Sequence, residues 1–177
     1  MDERAGDLSA ADAARATVER AARALGVDLG PAPEHWTVRD VPLAPFPARL
    51  RVDLDAGVLW HDVVAAEVVP PVGVEAVVDG IELPRPEVRM MVGEARWMVA
   101  HSYPLPLTRV TDGEVGGLLA AGALYATALA VGLGGHLSKG WRAELEAHGF
   151  VAGSGFPHDP RDLLQRGVRV PWPAVGQ

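Results

Sequence analysis

The most uniform stretch of apolar and small residues spans positions 115–138, which carry no formal charge over 24 residues. Such a segment has to be buried in a membrane, in a protein core or against a partner, because exposed apolar surface is unfavourable in water. Thr111 followed three residues later by Glu114 forms a capping box, which is typical of the start of a soluble helix. The six glycines and six alanines in the segment make insertion into a bilayer weak. The pattern therefore predicts a central core helix rather than a membrane span.

One side of this predicted helix carries small residues at every fourth position. They are Gly122, Ala126, Ala130 and Gly134. Small side chains let another backbone approach closely, so we expect a helix or a sheet to pack against this stripe. The other sides of the helix are also apolar, which favours a central position. A subunit interface explains the same pattern, and the alternative is a homodimer through residues 115–135.

Two further helices are predicted from their end signals. Residues 10–25 form an N-terminal helix that is stopped by Gly26, and Ser138 caps a short helix that ends at His148. Because the short helix follows the uncharged one directly, residues 112–149 are predicted to form a helical hairpin. A connection at 31–47 is rich in proline and is predicted to lack regular structure, and a Pro-rich tail occupies 157–177.

Between the helices the hydrophobic period changes to two, which is the period of a β-strand. The strands are predicted at 49–54, 58–69, 74–78, 81–83, 88–92 and 95–103. The pairs Asp79-Gly80 and Gly93-Glu94 suit the tight turns of hairpins. The sequence therefore predicts one domain over residues 1–177 of the α+β class. It has a single antiparallel sheet of five or six strands at roughly 49–103, packed by the N-terminal helix and the C-terminal helical hairpin.

The composition argues against several classes of function. The chain has no cysteine, which excludes thiol nucleophiles, zinc–thiolate sites and disulfides. Its net charge of −7, without a cluster of Lys or Arg, argues against nucleic acid as a partner. The six histidines are scattered, and the motifs of nucleotide-binding loops and zinc peptidases are missing. We therefore expect a cytoplasmic protein with a small-molecule ligand, and no cofactor, metal or membrane partner.

Three polar side chains on the predicted strands are candidates for catalysis, namely His101, Tyr103 and His61. In the last strand, the period of two places His101 and Tyr103 on one face, which enters the rim of the core if it faces the helices. The ordinary pKa of histidine suits proton transfer near neutral pH. His61 precedes Asp62, but neighbouring strand residues point to opposite faces, so these two cannot act on one substrate without a bulge. The alternative for each residue is a structural role with a local partner.

Four other residues are candidates for binding a substrate. Arg89 and Arg96 lie on the two arms of the last predicted hairpin, and a guanidinium suits a substrate carboxylate. Trp60 and Trp97 suit the walls of a pocket. The alternative for the arginines is a solvated strand face, on which they pair with a residue such as Glu82 or Glu87.

Residues 88–104, with the sequence VRMMVGEARWMVAHSYP, faintly resemble the strand-turn-strand of chorismate lyase and of the related ligand-binding domains of GntR-type regulators. In that family an Arg-bearing strand, a Gly-containing turn and a strand ending near proline precede a helix. The resemblance covers less than a tenth of the chain. The later Arg-rich strand and the C-terminal carboxylate strand of the family have no clear match after Phe150.

Two functional hypotheses follow from these residues. The first is a small enzyme of the lyase, isomerase or cyclase type that acts on an apolar, carboxylate-bearing substrate between the sheet and the helices. In it, Arg89 or Arg96 holds the carboxylate, and His101 with Tyr103 transfers protons. The second is a noncatalytic ligand-binding or assembly protein whose Gly/Ala-rich helix forms a subunit interface.

Overall fold

The computed structural model of the protein describes residues 3–31, 36–69, 73–81, 87–92 and 96–149. These parts contain five strands in one antiparallel sheet and four α-helices. In chain order the elements are α1 (Glu3–Ala24), β1 (Val38–Val41), β2 (Ala48–Asp53), β3 (Val58–Val68), α2 (Val74–Asp79), β4 (Glu87–Val92), β5 (Trp97–Pro106), α3 (Asp112–Gly132) and α4 (Lys139–Ala147). The predicted α+β class with a single antiparallel sheet is confirmed.

The sheet has the strand order β1-β2-β3-β5-β4, so that β5 lies between β3 and the edge strand β4. The longest pairing joins β3 and β5, from Val58 opposite Pro106 to Val68 opposite Trp97. Because a strand alternates its side chains between two faces, this register fixes which residues of β3 and β5 share a side. A bulge between Val64 and Ala66 shifts the alternation at one end of the pairing.

Helix α3 packs on β3 and β5, and it also contacts α1. Three members of the predicted stripe of small residues, Gly122, Ala126 and Ala130, are buried, whereas Gly134 lies beyond the end of α3 and is only partly buried. At Gly122 the sheet packs against the stripe, because His61 of β3 lies next to that glycine. Helix α3 is long and apolar enough to cross a membrane, but 56% of its most apolar window is buried inside the fold. That burial is consistent with the core helix of a soluble protein.

The helix ends follow the signals in the sequence. The side chain of Thr111 accepts a hydrogen bond from the backbone N–H of Glu114 at 3.3 Å, and that of Ser138 accepts one from Trp141 at 3.2 Å. Gly26 follows α1 with a φ of +72°, a left-handed conformation that favours glycine. The predicted stop of the first helix and the predicted starts of the last two are therefore confirmed, although α1 begins earlier than expected, at Glu3.

The hairpin predicted at 74–78 and 81–83 is wrong, because residues 74–79 form helix α2. Val74, Val77 and Val78 recur at helical spacing, and all three pack against the core. Gly80 has a φ of −81°, so it does not adopt the left-handed conformation that a type I′ turn requires. Valine is common in strands, which favoured the strand prediction, but the spacing of these three valines is that of a helix.

The Pro-rich connection predicted at 31–47 contains the edge strand β1, so the expectation of no regular structure is wrong there. Residues 34–41 hold no proline, and the strand pairs with β2 from Val38 opposite Arg51 to Val41 opposite Ala48. Prolines thus flank β1 without interrupting its hydrogen bonds. The turn predicted at Gly93-Glu94 and the tail at 157–177 lie outside the described residues.

Candidate functional site

The three residues predicted to be catalytic lie on the side of the sheet that α3 covers. In the register of β3 and β5, His61 is opposite Tyr103 and His101 is opposite Val63, so all three side chains share one face. His61 and His101 are completely buried, and Tyr103 keeps 9% of its surface exposed. The structure therefore brings together His61, His101 and Tyr103, which come from two neighbouring strands.

Helix α3 packs closely against the imidazole ring of His61. The Nδ1–H of His61 points at the backbone carbonyl of Leu118 at 3.4 Å, and because a carbonyl can only accept, this contact places the ring proton on Nδ1. A Cβ atom added to Gly122 would lie 2.3 Å from Nδ1 of His61 and 2.4 Å from its Cε1. Real side chains do not approach so closely, and only a glycine at position 122 fits the imidazole in this position.

His101 lies among aromatic rings. Its ring centroid is 5.6 Å from that of Tyr103 and 5.2 Å from that of Tyr125, and the two tyrosine rings are 6.0 Å apart. All three pairs meet edge to face, the arrangement that the charge distribution of aromatic rings favours. We refer to His61, His101, Tyr103 and Tyr125 as the histidine–tyrosine cluster.

Burial keeps both imidazoles of this cluster neutral. It lowers the pKa of His61 to about 4, against smaller raising effects of the Leu118 carbonyl and of Asp62. It also lowers the pKa of His101 well below 6.5, and the neighbouring His61 adds to that effect. Burial raises the pKa of Tyr103, with a further contribution from Tyr125. At neutral pH His61, His101 and Tyr103 are therefore uncharged.

Three ring nitrogens of the cluster lack a hydrogen-bond partner among the residues that the structure describes. They are Nε2 of His61 and both Nδ1 and Nε2 of His101. Leaving a buried polar group unpaired costs about 1–3 kcal/mol, so most protein interiors avoid it. The cluster thus places polar side chains where apolar side chains would give a more stable fold.

The residues predicted to bind a substrate are divided between the two sides of the sheet. Trp97 lies on the side of the histidines, as Val99 and His101 do along β5. Arg89 is opposite Ala100 and points to the other side, where Arg96 and Trp60 also lie. His101 and the two arginines therefore do not converge on one ligand in this structure.

Both arginines are engaged by glutamates at the surface. Arg89 donates to Glu87 at 2.7 Å, and Arg96 donates to Glu67 at 3.3 Å. The two guanidinium groups are mostly exposed, with 55% and 70% of their side chains accessible. Exposed pairs of this kind contribute little to stability, and they match the alternative of a solvated strand face.

The side of the sheet opposite the two histidines carries a row of polar residues that crosses all five strands. In register from edge to edge it consists of Asp40, Arg49, Asp62, Ser102 and Glu87. Its buried centre is Asp62, which accepts a hydrogen bond from the hydroxyl of Ser102 at 2.6 Å and contacts from Arg49 and Arg51 at 3.3 Å. The carboxylate of Asp62 is thus already satisfied, and it lies on the face opposite His61, as the alternation of the strand predicts.

Sequence analysis missed Gly122 and Tyr125 as parts of the site. The stripe of small residues identified Gly122 only as a packing position. Tyr125 was visible as the one phenol in a long uncharged helix, but its position next to His101 depends on how α3 is rotated against the sheet. Neither contact is encoded by a local pattern.

Within the described ranges, no three His, Asp or Glu side chains come together as ligands for a metal ion. Comparison of the chain with family models, with curated proteins and with solved structures gives no match. The resemblance of residues 88–104 to chorismate lyase therefore gains no support from these comparisons.

Proposed function

We propose that this protein binds a neutral, largely apolar small molecule between α3 and the sheet, with His61 and His101 supplying the polar contacts. The observation that carries the proposal is the set of three buried ring nitrogens without a partner among the described residues. A hydroxyl group of a ligand can donate to one of the acceptor nitrogens and accept from the N–H of His101, whereas a carbonyl group can only accept from that N–H. Departures from the rules of stable packing are expected at functional sites, where stability is sacrificed for binding.

The chemistry of the cluster favours a neutral ligand. Neutral His101 offers one N–H donor and one acceptor nitrogen, while His61 offers the acceptor Nε2 because its Nδ1–H points at Leu118. His61, His101 and Tyr103 carry no charge at neutral pH. A carboxylate buried beside them would have no cation to pair with inside the cluster, since Arg89 and Arg96 lie on the other side of the sheet. The proposed ligand therefore differs from the acid expected from the sequence.

Access to the cluster involves Tyr103 and α3. Tyr103 is the member of the cluster with exposed surface, so we place the entry beside its ring. His61 is in contact with the backbone of α3 at Gly122, and a bound molecule would move the helix away from β3. Ligand binding in this proposal is thus coupled to a shift of α3.

A second candidate function is catalysis of the lyase, isomerase or cyclase type at the same cluster. The observation that favours it is the contact between His101 and Tyr103, whose ring centroids are 5.6 Å apart. A neutral imidazole can accept a proton and a neutral phenol can donate one. Conversion of a bound ligand, followed by NMR and lost in Tyr103→Phe, would separate this function from binding alone.

The proposal predicts that His101→Phe stabilises the protein. Phenylalanine keeps the edge-to-face contacts with Tyr103 and Tyr125 but removes two unpartnered nitrogens, so the free energy of unfolding is expected to rise by about 1–3 kcal/mol. Urea unfolding at pH 7 measures this change. Lower stability would mean that the nitrogens of His101 are satisfied in solution, which contradicts the proposal.

Phenol and benzoate test the class of ligand, because they share a ring and differ in charge. Phenol is expected to shift the imidazole resonances of His61 and His101 in wild-type protein, with a smaller response in His101→Phe. Benzoate is expected to leave those resonances in place. Equal or stronger shifts with benzoate, or none with phenol, would rule out a neutral-ligand site at the cluster.

The homodimer through residues 115–135 stays a separate prediction. The side of α3 turned away from the sheet includes Gly117 and Val131, both exposed, with Val131 at 48%. Sedimentation of wild-type protein and of Val131→Glu would test whether that side joins two copies.

A further inference from the structure

A cleft of about 410 Å³ lies between the end of α1, the loop that follows it and the edge strand β1. Its apolar wall is formed by Val27 and Leu29, and its charged groups include Arg23 and Arg39. The volume lies in the range that is usual for small-molecule sites. The sequence pattern does not reveal this cleft, because the Pro-rich connection at 31–47 predicts no strand at β1.

The chain around the cleft is fixed by local hydrogen bonds. Helix α1 ends in a Schellman motif, in which the N–H of Val27 donates to the carbonyl of Ala22 at 2.8 Å and that of Gly26 donates to Arg23 at 3.1 Å. The backbone N–H of Gly30 then donates to the side chain of Asp28 at 2.7 Å. The wall that carries Val27 is thus held in place without a ligand.

Arg39 lines the cleft, and its guanidinium is held in place by two hydrogen bonds. Its side chain is only 6% exposed, and its Nη1 donates to Glu19 at 2.8 Å while Nη2 donates to the carbonyl of Gly30. The guanidinium also lies over the ring of Trp36, with Cζ 5.7 Å from the centroid. These two hydrogen bonds use two of the five N–H donors of the Arg39 guanidinium.

Arg23 adds a second cation at the mouth of the cleft. It is exposed and forms no hydrogen bond or ion pair with any residue in the described ranges. The carboxylate of Glu19 is engaged by Arg39, and an oxygen of Asp28 accepts from Gly30. Two carboxylates and two guanidinium groups thus line the cleft, and the guanidinium of Arg23 has no direct hydrogen bond or ion pair with a carboxylate in the described ranges.

We propose that this cleft binds a small aliphatic carboxylate, whose carboxylate contacts Arg23 and Arg39 and whose hydrocarbon part packs against Val27 and Leu29. The planar fork of a guanidinium matches a carboxylate. The apolar wall of Val27 and Leu29 suits a short branched hydrocarbon chain. The proposal does not depend on the histidine–tyrosine cluster. It places the acid expected from the sequence at a different pair of arginines, on the side of the sheet where α1 packs.

The test is an NMR titration with isovalerate as the probe and isovaleramide as its uncharged match, at pH 7 and constant ionic strength. Isovalerate is expected to shift the backbone amides of residues 26–30 in a saturable way, and isovaleramide is not. Equal shifts with inorganic phosphate would overturn the assignment to an aliphatic carboxylate. Shifts that do not saturate, or that map elsewhere, would overturn the site itself.

Arg23→Gln gives the decisive variant, because Arg23 is exposed and forms no hydrogen bond or ion pair within the described parts of the chain. It is expected to weaken isovalerate binding about tenfold, which corresponds to one charge-assisted hydrogen bond. Arg39→Lys keeps a cation beside Glu19 but loses the fork, and it is expected to weaken binding as well. The matched control is Arg109→Gln, an exposed arginine paired with Glu114 at the start of α3. Unchanged affinity in Arg23→Gln, or equal loss in Arg109→Gln, would contradict the proposal.

Discussion

Lowering the pH from 6.5 to 4 is expected to reduce the free energy of unfolding by about 3 kcal/mol through His61 alone. The imidazole has an ordinary pKa of 6.5 in the unfolded chain, and burial lowers this pKa to about 4 in the fold. Between these two values the unfolded state binds a proton that the folded state does not, so stability falls as the pH falls. His101 contributes in the same direction, because its pKa is also lowered.

Urea unfolding at a series of pH values and constant ionic strength measures this loss. Carboxylates whose pKa is lowered, such as Asp112 beside Arg20, lose their contribution only at still lower pH. The matched control is His61→Gln, in which the slope between pH 6.5 and 4 is expected to become smaller. A wild-type stability that stays flat over this interval would show that the buried imidazoles titrate normally.

Gly122→Ala is expected to lower the free energy of unfolding by about 1–3 kcal/mol, despite the better helix propensity of alanine. The new methyl group would lie 2.3 Å from Nδ1 of His61, inside a contact that is buried on both sides. Either α3 moves away from β3 or the imidazole of His61 is displaced from its position against α3, and each change loosens the packing of the core. Thermal or urea unfolding measures the difference.

Gly117→Ala provides the control on the same helix, since no atom lies within 4 Å of its added Cβ. That substitution is expected to stabilise the protein by up to about 1 kcal/mol. In a His61→Ala background the clash is absent, so Gly122→Ala should cease to be destabilising there. Destabilisation that persists without the imidazole would place the strain elsewhere in α3.

The parts of the fold that the sequence predicts correctly are those that depend on neighbours in the chain. The cap at Thr111 and the stop at Gly26 each involve residues within four positions, and both are observed. The strand β1 was missed because its pairing with β2, which defines it, is not a local feature of the sequence. The prolines on either side of it, Pro33 and Pro42, favoured an irregular connection. Helix α2 was missed because the segment is rich in valine, which favours strands, and six residues are too few for the helical spacing of Val74, Val77 and Val78 to stand out.

The site shows the same division. The period of two already places Arg96 and His101 on opposite faces of one strand, and the structure agrees. The side on which Arg89 lies depends on the pairing of β4 with β5, which turn residues alone do not determine. The contact of Tyr125 with His101 depends on the rotation of α3, and the same rotation brings Gly122 against His61.

The two edges of the sheet carry charge, and this bears on how the protein behaves at high concentration. The edge strand β1 has only four residues and exposes Asp40, while the edge strand β4 exposes Glu87 and Arg89. A strand from a second molecule that added to either edge would have to bring its own backbone against these charged groups. Charged and short edges are a common protection against such addition. The sheet is therefore expected to resist fibrillar aggregation even where its apolar helices are transiently exposed during folding.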